Sequence, residues 1–134
     1  HHSADQERVV RAALRAACVS PSSVAYVEAN AIGTVLGDVL EFRTIARVYG
    51  RKDPRVPTAV GSHTTTFGHP SAASGVLSCI KAALALRRGR IPRNVIPYEL
   101  DTDMFPFASR GLCFPTTNRT FPSSGRSVVG LHGY

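Results

Sequence analysis

The sequence predicts an α/β fold in which helices cover a sheet, and two observations support this prediction. Helical and extended patterns follow one another in the order helix, strand, helix, strand, helix, long loop, strand. Of the 134 residues, 43% are hydrophobic and 19% are charged, a balance that can bury the core of one domain. This order favours a layered helix/sheet/helix arrangement over a helix bundle or a sandwich of sheets.

The first helix is predicted to run from a cap at Ser3 or Asp5 to about Ala17. Its apolar residues recur at helical spacing and form one face: Val9, Val10, Ala13, Leu14 and Ala17. Residues 20–23, Ser-Pro-Ser-Ser, end this helix. The β-rich run 24–29 then predicts a strand that enters a glycine-containing loop.

The second helix is predicted over residues 36–49, with Leu36, Leu40 and Ile45 facing inward and Gly50 ending it. The loop that follows contains Pro54 and Pro57. The next strand is expected at 59–62.

A third, long helix is predicted from a Ser71 cap to Arg88, with Gly89 as its C-terminal stop. Residues 90–125 contain five of the nine prolines, so this stretch is predicted to be mostly an extended covering loop. A last strand is expected at 127–131.

The charge pattern bears on possible partners. A net charge of +7 favours an acidic partner, and nucleic acid is the first class to consider. The arginines are spread along the chain, however, and their densest group, 87–93, lies where cations suit a helix C-terminus. No aromatic RNA-binding pattern accompanies them, so nucleic acid is disfavoured. The apolar stretch 72–86 is too short and too polar to cross a membrane.

The cysteines and the first residues indicate the compartment. Cys18, Cys79 and Cys113 are odd in number and form no Cys-x-x-Cys pair, which predicts reduced, mostly buried thiols in a cytoplasmic protein. No charged-then-apolar leader opens the sequence, and residues 1–3 are expected to be the remainder of a purification tag.

Three separated segments carry a family resemblance. Residues 27–41 read VEANAIGTVLGDVLE, residues 60–69 read VGSHTTTFGH, and residues 72–92 continue as a helix ending in LALRRGRIP. Together they resemble the two active-site histidine loops and the following helix of β-ketoacyl synthases, the condensing domains of polyketide and fatty-acid synthases. Residues 5–10, DQERVV, are similar to the segment that opens the preceding helix in that family.

The resemblance implies that residues 1–134 form the C-terminal half of a thiolase-like fold. The family's nucleophilic cysteine lies in the other half, so an N-terminal half or a second chain is an expected partner. Without that half, the sheet surface that it normally covers would expose an apolar patch, which predicts self-association or a partner chain. The resemblance also implies an acyl carrier protein as partner. Its phosphopantetheine arm would carry the substrate, and no covalently bound cofactor is expected.

The catalytic positions are altered in this sequence. His69 matches the second histidine of the family, whereas Asn30 replaces the first and Thr64 replaces a lysine that supports the histidines. An asparagine amide has no proton that titrates near neutral pH, so it cannot serve as an acid–base group. His63, His69 and His132 lack the spacing of a metal site, and no metal is expected.

The resemblance assigns further residues to substrate binding. Gly33 and Thr34 are retained where the family contacts the pantetheine arm. The segment His132-Gly133-Tyr134 aligns with a Phe-Gly-Phe gate beside the active site. Asp38 and Glu41 can also be read as ordinary acids at the start of a helix.

Three functional hypotheses remain. The first is a ketosynthase-like domain that does not condense and instead binds acyl or acyl-carrier thioesters or acts as a scaffold. The second is a fragment of an active β-ketoacyl synthase that performs decarboxylative Claisen condensation. The third is a basic module that binds nucleic acid.

Overall fold

The computed structural model describes residues 3–123 and 125–133. Its helices and strands, in chain order, are α1 Ser3–Ala16, β1 Val24–Glu28, α2 Val35–Tyr49, β2 Thr58–Gly61, α3 Thr64–Phe67, α4 Ser74–Arg88, β3 Arg90–Ile91, β4 Leu112–Cys113, β5 Arg119–Thr120 and β6 Val128–Leu131. The predicted α/β order is confirmed. Within the described residues, no helix is long and apolar enough to cross a membrane.

The main sheet is parallel, with strand order β4-β2-β1-β6. Tyr26 pairs with Ala59 and Val27 with Val60, so β1 and β2 lie side by side and end at the same edge. Helix α2 makes the crossover that a parallel pair requires. A separate antiparallel pair joins β3 to β5.

Helices cover both faces of this sheet. On one face, Val24 and Val27 pack with Val10 of α1 and Ile45 of α2. On the other face, Tyr26 packs in a cluster that contains Ala85 of α4. Every residue of β1 is buried, which is the pattern of a parallel strand covered on both sides.

The inward faces of two helices differ from the prediction. Leu36 is 72% exposed because it lies in the first turn of α2, ahead of the buried residues that begin at Glu41. On the apolar face predicted for the first helix, Val10 is buried and Leu14 is half-buried. Val9, Ala13 and Ala17 are exposed. The predicted apolar stripe is therefore wider than the face that α1 packs against its neighbours.

Helix α4 also begins differently from the prediction. Ser71 does not cap it, because this residue lies in a 3-10 turn, Ser71–Ala73, with a φ of 50°. Gly89 ends the helix in the left-handed conformation, as predicted. The buried face of α4 consists of small side chains, Ser74, Ser78, Ala82 and Ala85.

The segment 90–125 is mostly loop, yet it contributes the short strands β3, β4 and β5. Asn94 fastens it to the end of β2. Its Nδ2 donates to the Val60 carbonyl at 3.0 Å, and its Oδ1 accepts from the Ser62 N–H at 3.1 Å. The asparagine side chain thus satisfies backbone groups where β4 no longer pairs with β2.

The carboxylate of Glu28, at the end of β1, is fully buried and joins three parts of the fold. Lys81 of α4 lies 2.9 Å from it, and the backbone N–H of His63 donates to it at 2.6 Å. The Tyr26 hydroxyl also donates to Glu28. Burial, followed by this neighbouring charge, raises the pKa of Tyr26 well above its ordinary value.

Replacing Lys81 by methionine is expected to lower the free energy of unfolding by about 3–5 kcal/mol, because a buried carboxylate loses its cation. Arg87→Met, on an exposed turn of the same helix, is the control and should change stability by less than ~0.5 kcal/mol. Urea unfolding of both variants measures the difference. Equal stabilities would show that the Glu28–Lys81 pair does not support the fold.

Candidate active site

Two loops follow the adjacent strands β1 and β2, residues 29–34 and 62–69. Because parallel strands end at the same edge, the two loops meet there, where α/β proteins commonly bind ligands. A cleft of about 520 Å³ lies between these loops and the segment 95–107. Four phenylalanine side chains line it: Phe42, Phe105, Phe107 and Phe114. The Phe42 and Phe107 rings meet edge to face with centroids 4.9 Å apart.

Carboxylates of α2 hold the first loop. Glu41 accepts hydrogen bonds from the backbone N–H groups of Asn30 at 2.7 Å and Ala31 at 2.8 Å. Asp38 accepts from the Gly33 N–H at 3.2 Å. These two acids therefore fix the loop that precedes their own helix, a contact that the interpretation as simple helix-start acids does not include.

The backbone of this loop turns through the left-handed region. Gly33 has a φ of 87°, a conformation that glycine adopts readily. Ala31 has a φ of 43°, which is strained for a residue with a Cβ. The Glu41 carboxylate holds Ala31 in place, since it accepts that residue's N–H.

Three of the residues predicted from the sequence line the cleft: Gly33, Thr64 and His69. His69 is exposed and follows Gly68, whose φ is 72°. The Thr64 hydroxyl donates to Ser62 Oγ at 2.9 Å. The structure therefore brings the second loop and part of the first to one opening.

Other predicted residues do not line this cleft. The Asn30 residue is only 4% exposed, at the end of β1. Thr34 caps α2, and its Oγ accepts from the Gly37 N–H at 3.3 Å. His132 and Gly133 line a smaller groove of about 230 Å³ between α1 and β6. Tyr134 lies outside the described residues.

His132 connects β6 to the first loop. Its backbone N–H donates to the Glu28 carbonyl at 3.0 Å, and its Nδ1 lies 3.5 Å from Glu41 Oε1. The ring also packs against Tyr49, with centroids 5.8 Å apart. Burial raises the pKa of Tyr49 to about 12, so this phenol remains neutral near pH 7.

His63, for which the sequence predicted no role in the fold, is almost fully buried within the second loop. Its Nδ1 lies 3.2 Å from Glu28 Oε1, and its Nε2 lies 3.3 Å from Ser74 Oγ. The imidazole thus joins β1 to the first turn of α4. The signal available in the sequence was a histidine that stands where the resembled loop has valine.

Cysteine chemistry is not available at this cleft in the described parts of the chain. Cys18 and Cys79 are exposed rather than buried as predicted, and Cys113 lies in β4. Burial raises the pKa of the Cys113 thiol, which lowers its thiolate fraction. None of the three lines the cleft.

Comparison with known proteins identifies the family. The model of the β-ketoacyl synthase C-terminal domain matches residues 1–96. The chain belongs to this family. The resemblance that the three sequence segments carry is thereby confirmed at the level of the ketosynthase C-terminal domain.

The relatives are polyketide synthases. The chain is 42% identical over 133 residues to one subunit of the phenolphthiocerol/phthiocerol polyketide synthase of Mycobacterium tuberculosis, covering 96% of this chain and 7% of that protein. It is 44% identical over 132 residues to a mycocerosic acid synthase-like polyketide synthase of Mycolicibacterium smegmatis, covering 96% of this chain and 6% of the relative. The chain thus spans a small fraction of these relatives.

A solved structure shows the same fold. Ketosynthase twelve from the bacillaene polyketide synthase of Bacillus amyloliquefaciens aligns with a TM-score of 0.85 at 26% identity, over 98% of this chain and 24% of that one. The fold is therefore that of thiolase-like ketosynthase domains, as predicted. The residues that the sequence resemblance assigns to the two histidine positions of such a domain are Asn30 and His69.

Replacing Ala31 by glycine is expected to relieve backbone strain. Glycine also loses more chain entropy than alanine on folding, and this cost must be subtracted. The control is therefore Ala13→Gly, at an exposed position of α1. Ala31→Gly should leave the chain more stable than Ala13→Gly by about 1–2 kcal/mol, the cost of a left-handed non-glycine residue. Thermal unfolding measures both. If the two variants were equally stable, the loop would not hold Ala31 in a strained conformation.

The pKa of Asp38 is raised, chiefly because the carboxyl is buried, although the Gly33 N–H opposes this shift. The folded state then binds the proton more tightly than the unfolded chain, whose value is 3.8. Stability from protonated Asp38 is present below that value and is lost as the pH rises through the raised pKa. Asp38→Asn, which cannot ionise, should therefore gain stability relative to the original chain as the pH rises from about 3.5 to about 7.

The control for this pH series is Asp53→Asn. Hydrogen bonds from Arg55 lower the pKa of the Asp53 carboxyl, so the expected dependence has the opposite sign. Melting temperatures at each pH measure both variants. A parallel response of the two variants would contradict the burial of Asp38.

Proposed function

We propose that this ketosynthase half-domain binds acyl thioesters presented on the phosphopantetheine arm of an acyl carrier protein and does not condense them. The observation that carries the proposal is Asn30 at the first histidine position, with Thr64 at the lysine position. Condensation requires groups that assist decarboxylation and stabilise the enolate that results. Two of these positions are changed: Thr64 lines the cleft, and Asn30 is buried between Ala29 and Ala31, which line it.

The chemistry of the two side chains supports this loss. An asparagine amide can donate a hydrogen bond to an oxyanion, but it exchanges no proton near neutral pH. Threonine carries no positive charge. General acid–base groups typically contribute about 10²–10⁴-fold to a reaction, so the loss of one is expected to suppress turnover even with His69 retained.

Thioester binding is supported by the cleft itself. The phenylalanine side chains provide an apolar wall, and the hydroxyl-bearing residues Ser62, Thr64 and Thr65 lie at its loop end. A cleft of about 520 Å³ is within the usual size of a small-molecule site. An acyl-pantetheine thioester likewise has an apolar acyl chain at one end and a polar amide arm at the other, which matches the apolar wall and the polar loop end of the cleft.

Helix α4 offers a surface for the other half of the domain. Its outward side chains include Val76, Ile80 and Leu84, exposed at 63%, 50% and 43%. An apolar row on the outside of a helix indicates a contact with another polypeptide. We propose that the N-terminal half of a ketosynthase covers it, and that a second copy does so when that half is absent.

A chimaera tests the proposed loss of condensation. This chain would replace the matching segment of an active polyketide ketosynthase that retains its cysteine-bearing half. The chimaera is expected to accept an acyl group from its carrier but to form β-ketoacyl product at least ~100-fold more slowly than the parent enzyme. Mass spectrometry of the carrier-bound species measures both steps.

The control chimaera carries Asn30→His together with Thr64→Lys and should recover most of the lost rate. Product formation by the unmodified chimaera at the parental rate would contradict the proposal and favour the hypothesis of a fragment of an active synthase. Failure of both chimaeras to accept an acyl group would contradict the proposal that the domain binds acyl thioesters.

The α4 surface predicts a specific association. The isolated chain is expected to dimerise in a concentration-dependent manner, and Ile80→Asp should shift it to monomer because a buried charge has no partner there. The control is Val9→Asp, at an exposed apolar residue of α1, and it should leave the dimer unchanged. Sedimentation equilibrium measures the masses. A monomeric original chain, or equal effects of the two variants, would contradict this role of α4.

A further inference from the structure

The buried pair His132–Glu41 links the end of β6 to the carboxylate that holds the first loop. Glu41 is 5% exposed and His132 is 4% exposed, and they come from α2 and from the end of β6. Within residues 3–123 and 125–133, His132 is the only side chain able to carry a positive charge within 4 Å of the Glu41 carboxylate. A buried carboxylate that lacks such a neighbour is costly.

We propose that His132 is a positioning residue for the first histidine loop. The same oxygen of Glu41 that lies 3.5 Å from His132 Nδ1 accepts the Asn30 N–H at 2.7 Å, and the other oxygen accepts the Ala31 N–H at 2.8 Å. One carboxylate therefore links the imidazole to two consecutive amides. Its orientation sets where the loop backbone lies.

The linkage acts on a strained part of the loop. Ala31 keeps its left-handed φ of 43° only while something holds its N–H, and Glu41 Oε2 is the acceptor. Gly33, two residues on, lines the cleft. A Glu41 carboxylate released from His132 would be free to turn toward water, and Ala31 and Gly33 would move with it.

Two contacts of His132 must be distinguished in a test, namely that with Glu41 and the packing against Tyr49. His132→Phe retains a ring for Tyr49 and removes the nitrogen that faces Glu41. His132→Asn does the opposite, since its amide nitrogen can stand near the position of the imidazole Nδ1 while the ring that packs against Tyr49 is lost. This pair of variants separates the contact with Glu41 from the ring packing.

Amide hydrogen exchange of the full chain, observed by NMR, is the experiment. His132→Phe should accelerate exchange at Asn30 and Ala31 by roughly tenfold or more, while Val27 within β1 changes by less than about twofold. His132→Asn should accelerate exchange at these two amides less than His132→Phe does. Unchanged exchange at Asn30 and Ala31 in His132→Phe, an equal acceleration at Val27, or an equal acceleration in His132→Asn would overturn the proposal.

Glu41→Gln tests the same linkage even if His132→Phe does not fold. A glutamine side chain has one carbonyl oxygen where the carboxylate has two, so it cannot accept the Asn30 and Ala31 N–H groups on separate oxygens as Glu41 does. Exchange should therefore accelerate at Asn30, at Ala31 or at both, and unchanged exchange at both amides would overturn the proposal.

One part of this inference rests on the proposed function, namely that the position of Gly33 at the cleft matters for binding a thioester. The exchange measurements require no ligand. They can therefore give the expected result when thioester binding fails, and thioester binding can be observed when they do not, so the two failures are distinguishable.

Discussion

The carboxylate of Glu28, buried at the end of the central strand β1, contacts Lys81 of α4 and both the backbone and the ring of His63 at the end of β2. A charge in this position is tolerated only while its partners remain, because an uncompensated buried carboxylate is strongly destabilising. The interaction therefore fixes the order of the layers: α4 stays on its face of the sheet, and the loop after β2 starts at a defined point. His69 reaches the cleft from that starting point.

Glu41 has the corresponding role for the loop after β1. The supports of both histidine loops are carboxylates, and they do not depend on which side chain stands at position 30. The framework of a ketosynthase domain can therefore be kept whatever the side chains at positions 30 and 64 do in condensation. The cleft has an aromatic wall and loops held by carboxylates, which are features that binding requires. We propose that the acid–base and charged groups required for turnover are what has changed, at Asn30 and Thr64.

Much of the fold could be predicted from the sequence. The strand at Val24–Glu28 and the stop at Gly89 follow from local preferences that the tertiary structure does not override. The inward direction of Leu36 was wrong, because burial in α2 begins one turn later, at Glu41. Asn94 could not have been predicted, since its role is to satisfy backbone groups of β2 that are distant in sequence. For the site, motif resemblance located the two loops. It did not indicate that Thr34 would cap a helix or that His132 would contact Glu41, because both depend on side-chain packing.

Binding of an acyl-pantetheine thioester in the cleft between the two loops is the central proposal. It can be tested by titrating the ¹⁵N-labelled chain with an acyl-pantetheine and following the amide signals by NMR. We expect saturable shifts at the amides of Gly33, Thr64 and His69, all of which line the cleft, and little change in the groove between α1 and β6. Shifts confined to that groove, or no saturable shift at the three cleft residues, would contradict it.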